Sequence, residues 1–208
     1  MLHVLYLIGI AAFAASGVLA AHEARMDPFG GLVLGFAAAI SGGTLRDVLL
    51  DRRPLYWTHD WVLLAVIAGV AVLTGLYLAH RRSFPHRTLL LVDALGLSVV
   101  TVIGARAALE AGVTPPAVVI LAVLTGVTGE IVRDLLCGES PPLLLREDFY
   151  ATAAAVGALC FLCMNLLGVP DTPTTIASAG VVFLLRLCAI RYGLRLPTLS
   201  PAWRSAGA

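Results

Sequence analysis

Charge is what this sequence has least of. Asp, Glu, Lys and Arg make up only 13% of its 208 residues, and none is lysine, so all 14 basic residues are arginine. A water-soluble domain carries about 25% charged residues, so this chain cannot cover a water-facing surface. A formal net charge of +1, with no basic run interleaved with aromatics, removes the electrostatic case for nucleic acid. Also missing are a G-x-S-x-G elbow, an H-E-x-x-H helix, a P-loop and a T-V-G-Y-G filter. The commonest hydrolase, zinc-peptidase and nucleotide-hydrolysing chemistries are thereby excluded, and so is a highly selective potassium filter. The five histidines, His3, His22, His59, His80 and His86, fall at the ends of apolar runs rather than in a cluster. No enzyme activity, metal centre or cofactor is expected.

What is present is apolar: 59% of residues are hydrophobic and the mean hydropathy is +0.92. A bilayer core of about 30 Å needs ~20 apolar helical residues, and seven runs approach that length. They are Val4 to Ala21, Gly30 to Leu45, Trp61 to Ala79, Leu89 to Leu109, Ala117 to Leu136, Phe149 to Leu167 and Ile176 to Ile190. Short proline-punctuated connections join them. The expectation is an all-α integral membrane protein, one transmembrane domain over 1–208. The first run starts almost at Met1, lacks a basic leader and is followed by further spans, so it reads as a retained span rather than a signal peptide. Cys137, Cys160, Cys163 and Cys188 lie in or beside apolar runs and are expected to be packed in the core, the Cys160/Cys163 C-x-x-C included.

Sliding the chain against itself reveals an internal repeat at an offset of 87 residues. Gly9 meets Gly96, Gly17 meets Gly104, Pro28 meets Pro115, Gly42 meets Gly129, and Arg46-Asp47 meets Arg133-Asp134. Repeat one covers about 4–79, repeat two about 89–167, and a seventh helix at about 176–190 stands outside. Three spans per copy is an odd number, so the second copy enters the membrane from the opposite side, the inverted-repeat plan of transport proteins. The arginines favour an outer N-terminus and a cytoplasmic C-terminus, because Arg25, Arg81, Arg82, Arg87, Arg146, Arg191, Arg195 and Arg204 then face inward.

Each middle helix carries the unusual chemistry, Ser41-Gly42-Gly43-Thr44-Leu45-Arg46-Asp47 in one copy and Thr128-Gly129-Glu130-Ile131-Val132-Arg133-Asp134 in the other. Adjacent glycines weaken an apolar helix by about 1 kcal/mol each relative to alanine, so a break is expected there, with freed backbone dipoles lining a watery path. Charges at membrane depth should face the interior. Neighbours on a helix point about 100° apart, so Arg46 is expected to pair across the pseudo-two-fold with Asp134, and Arg133 with Asp47. Such pairs either pin the helices together or take part in permeation. Asp93, whose repeat counterpart is Tyr6, either complements a helix start or lines the path. Glu130, opposite Gly43 in the repeat, is either a pore carboxylate or reaches the membrane interface near Arg133.

The stretches L-G-F-A-A-A-I-S-G-G-T-L-R-D-V-L-L (34–50), D-A-L-G-L (93–97) and R-D-L-L-C-G-E-S-P-P-L-L-L-R-E-D-F-Y-A-T-A (133–153) resemble the bacterial relatives of the trimeric intracellular cation (TRIC) channels, a family also catalogued as putative glycine transporters. The resemblance covers about residues 4 to 190. It implies seven helices, homotrimers in the bacterial inner membrane, and a pore within each protomer where the second and fifth helices kink at G-G-G-x-x-R-D. Gly42, Gly43, Arg46 and Asp47 match the first motif, and Gly129, Arg133 and Asp134 the second. Ser41 replaces a motif glycine in the first, and Thr128 and Glu130 replace glycines in the second. The implied function is a potassium-permeable monovalent-cation channel surrounded by membrane lipid. The alternatives are a secondary transporter for glycine or a similar zwitterion, whose carboxylate would suit half-helix N-termini, and a non-transporting scaffold.

Overall fold

The computed structural model describes residues 2–80, 85–138 and 149–194. Those residues form seven helices and no strand: α1 (Leu2–Glu23), α2 (Pro28–Leu49), α3 (Trp61–His80), α4 (His86–Glu110), α5 (Pro115–Leu136), α6 (Ala151–Leu166) and α7 (Asp171–Tyr192). Six are long and apolar enough to cross a membrane, whereas α6, at 16 residues, is shorter. Several run past the ends of their apolar runs. α2 begins at Pro28 because the Asp27 carboxylate caps the Gly30 N–H at 2.6 Å and a proline at the first helical position loses no hydrogen bond. It continues through Arg46 and Asp47, whose charges neutralise each other inside the helix.

The backbone repeats as the sequence does. Positive φ angles occur at Arg25 and Asp51 in the first copy and at their equivalents Gly112 and Gly138 in the second, each just beyond a helix end. The contacts between copies are reciprocal too. A side chain on Gly9 would strike Val99 of α4, and one on its equivalent Gly96 would strike Phe13 of α1. α1 and α4 are the most enclosed spans, and α2 and α5 cross beside them. α7 packs against α4 and α6, outside the repeat.

Outward faces are as apolar as the core, with Trp61, Leu73, Leu76, Leu166 and Leu167 all exposed. That corrects the expectation for the cysteines. Cys163 and Cys188 are exposed on helix faces and Cys137 and Cys160 are half-buried. In a membrane protein a small apolar side chain is as well solvated by lipid as by the interior.

Candidate functional site

The glycines do not break their helices. α2 and α5 run without interruption through Gly42-Gly43 and Gly129, contrary to the expected gap in the backbone ladder. The glycines instead allow close approach. A Cβ on Gly42 would run into the Thr125 carbonyl oxygen of α5, and one on Gly129 would lie 2.5 Å from the Ala38 carbonyl oxygen of α2. Ala38 and Thr125 are themselves repeat equivalents. Position 42 therefore meets 125 while 38 meets 129, so the helices are antiparallel and their crossing lies at the pseudo-two-fold axis. Thr44, Thr125 and Thr128 donate their hydroxyls to the carbonyls of Ile40, Leu121 and Leu124 one turn back, at 2.7, 2.6 and 2.5 Å. This keeps polar atoms near the crossing satisfied within their own helices. Ser41, half-buried, has no hydrogen-bond partner for its hydroxyl.

This crossing corrects the expected ion pairing. At 1.5 Å of rise per residue, Arg46 and Arg133 each lie roughly 9 Å beyond it, in opposite directions. Some 18 Å of helix separates the two R-D motifs, roughly double the reach of one arginine. Each arginine turns back to its own neighbour. Arg46 places Nε and Nη2 at 2.9 and 2.7 Å from Asp47 Oδ1. Arg133 places Nε and Nη2 both at 2.9 Å from Asp134 Oδ1. The 100° between adjacent side chains is overcome because the arginine stem is long and, once both groups are buried, no water competes for the carboxylate.

The surroundings of the two motifs differ. In the first half, Asp47 Oδ2 accepts the Tyr56 backbone N–H at 3.0 Å, and the Arg46 guanidinium lies 5.4 Å from the centre of the Tyr56 ring. That ring occupies the space left by Gly43 and meets Tyr6 edge-on at 5.6 Å. Burial pushes the Tyr56 phenol up to about 12, so it stays neutral. Trp57 donates its indole N–H to Thr44 Oγ1 at 3.0 Å, holding the connection to α3 over this half.

In the second half, Arg133 serves three carboxylates. Its Nη1 contacts Asp93 Oδ1 and Ser16 Oγ, both at 2.6 Å, and its Nη2 lies 3.5 Å from Glu130 Oε1 as well as against Asp134. Asp93 is thus a buried partner of Arg133 rather than a helix cap, and Glu130 points inward rather than to the membrane interface. Beside this group Arg186 of α7, 1% exposed, stacks at 4.5 Å over the ring of Tyr150. Neither residue was singled out from sequence, although an arginine in the middle of an apolar run is a readable signal. Ser16 and Tyr56 gave none, being ordinary residues placed by helix packing and by a loop. Among the described residues no group of three or more His, Cys, Asp or Glu is arranged to hold a metal.

A family model described as "Glycine transporter" matches residues 3–78 and again 90–165, two stretches separated by the register of the sequence repeat. The UPF0126 inner membrane protein YadS of Escherichia coli is 40% identical over 195 residues, covering 93% of this chain and 94% of that protein. The UPF0126 membrane protein YvgT of Bacillus subtilis is 34% identical, covering 94% and 95%. Among solved structures, a TRIC trimeric intracellular cation channel orthologue from Rhodobacter sphaeroides superposes with a TM-score of 0.86 at 37% identity, covering 93% of this chain and 98% of that one. A TRIC cation channel solved to explain conductance superposes with the same score at 31% identity, covering 96% and 97%. These solved neighbours are channels, not enzymes.

Proposed function

This chain belongs to the UPF0126 family, the bacterial branch of the TRIC cation channels, and we propose that it conducts monovalent cations, potassium among them, across the bacterial inner membrane. The observation that carries this reading is the antiparallel crossing of α2 and α5 at Gly42 and Gly129, with a buried charged group on either side. A crossing of this kind is the natural waist of an hourglass path, and buried ionisable groups in a membrane mark such paths. On this reading Ser41, Gly42, Gly43, Thr128 and Gly129 line the waist. Asp93 and Glu130 line the half beyond it, and the two R-D pairs anchor each helix to its surroundings, α2 to the Tyr56 connection and α5 to α1 and α4. The protein works as a homotrimer with one path per protomer, as the solved relatives are named trimeric. The arginine distribution supports an outer N-terminus.

Planar-bilayer recording of the purified protein tests the reading. Unitary potassium currents are expected. Saturable glycine counterflow without conductance would replace the channel with the glycine carrier that the family model's description suggests.

A further inference from the structure

A cleft of about 420 Å³ runs between the second half of α3 and the turn that joins α1 to α2. Val18, Ala21, Ala71 and Leu78 wall it, and two glycines, Gly31 and Gly75, leave it open. A Cβ on Gly75 would meet nothing within 4 Å, and one on Gly31 would touch Val18 and Ala21 only at 3.8 and 3.9 Å. At the equivalent places the second copy carries Val118 and Leu162, both buried, and α7 brings Ala179 into the same cluster as Val118. The first copy has no counterpart of α7, so the hollow belongs to one half alone.

Its rim is asymmetric as well. His22 and Asp27 stand at the turn end of the cleft, with Arg25 exposed between them in the chain. Their equivalents in the second copy are Leu109, Thr114 and Gly112. Arg25 holds a φ of 57° where the second copy uses glycine, so a cationic side chain is kept at this turn against its backbone preference. Asp27 is committed to capping α2 at the Gly30 N–H, and Glu23 has a partner of its own.

What fills such a cleft follows from what surrounds it. An apolar hollow stays dry, and Val72 and Leu76 on its outer lip are exposed on the lipid-facing side of α3. From Ala71 to Ala79 it runs eight residues, about 12 Å at 1.5 Å per residue, most of the roughly 15 Å depth of one leaflet's hydrocarbon. Its polar end lies at the helix ends, where headgroups begin. Because α1, α2 and α3 touch one another around it, it admits a thin chain but not a neighbouring helix about 10 Å across.

We infer that this cleft binds one acyl chain of a membrane phospholipid, with the lipid's phosphate at Arg25. The inference needs only that the chain spans the membrane, and it stands whether the protein is a channel or a carrier. An anionic headgroup suits the arginine better than a zwitterionic one.

Native mass measurement of the full-length protein in mild detergent tests it, with dioleoyl phosphatidylglycerol or dioleoyl phosphatidylcholine titrated in. One phosphatidylglycerol per protomer is expected to stay bound, about fivefold more tightly than phosphatidylcholine. Gly75→Leu, which gives α3 the residue of the second copy, should remove that adduct, whereas Gly69→Leu, equally open but outside the cleft, should keep it. Arg25→Gln should keep the adduct and abolish the headgroup preference. Should Gly75→Leu not fold, Gly31→Val takes its place. No adduct in the wild type, or one unchanged in Gly75→Leu, would overturn the site, and a preference that survives Arg25→Gln would overturn the phosphate contact. If Gly75→Leu folds but falls apart into monomers, a neighbouring copy fills the cleft and the lipid reading is overturned.

Discussion

A buried arginine that must neutralise its own neighbour is the unit from which both halves of this molecule are made. Arg46 and Asp47 are 6% and 2% exposed, dry enough that removing one partner strands the other's charge, at a cost on the order of 3–5 kcal/mol. The pairing geometry decides which second change repairs the first. Arg46→Asp should lose most assembled protein, and Asp47→Arg should recover it because neutrality returns at the same contact. Asp134→Arg, roughly 18 Å away along the helices, should not. Yield of monodisperse protein after extraction checks this, and rescue by Asp134→Arg instead would mean that the motifs pair across the copies. Arg133 works under a heavier load, with Asp93 and Glu130 added to Asp134.

Helix contacts here depend on missing side chains, since helices in lipid gain little from hydrophobic burial and rely on close packing. Gly42→Ala would drive a methyl into the Thr125 carbonyl oxygen, a backbone atom that cannot swing aside, and should cost about 1–3 kcal/mol. Gly69→Ala on α3, where nothing lies within 4 Å, should instead stabilise by about 1 kcal/mol through helix propensity. Thermal melting of the two variants in the same detergent should separate them with opposite signs. The turns offer a second comparison. Arg25 and Asp51 hold φ values of 57° and 50°, conformations that cost a side chain about 1–2 kcal/mol, and the second copy uses glycine at both equivalents. Arg25→Gly and Asp51→Gly should therefore each raise the melting temperature, and a fall in both would show that these side chains hold contacts worth more than the relief.

At the scale of the whole molecule, two three-helix copies inserted in opposite senses place one charged group on each side of a shared crossing, and α7 adds a third arginine, Arg186, to one side alone. With an outer N-terminus, the half holding Asp93 and Glu130 faces the cytoplasm and the half holding Tyr6 and Tyr56 faces outward. The apolar outer faces are matched to lipid. Native mass measurement in mild detergent should give trimers, and monomers or dimers alone would remove the assembly taken over from the solved relatives.

Much of this was legible in the chain before any fold was known. Scarce charge and seven apolar runs required a helical membrane protein, because lipid leaves backbone groups no partner outside a helix or a closed barrel. The 87-residue register, carried by Gly42 and Gly129 and by the two R-D pairs, required two copies in opposite orientation. The same residues misled where only distance matters. Adjacent glycines read as a broken helix, yet the ladder continues and the missing side chains admit a neighbouring carbonyl. Symmetry suggested crossed ion pairs, but a two-fold axis through the crossing sends equivalent residues to opposite sides of it. Where Arg186, Ser16 and Tyr56 would meet the motifs was decided by tertiary structure alone, since long-range contacts such as Ser16 with Arg133 depend on how helices cross, and the apolar pattern along one helix does not record its crossing point.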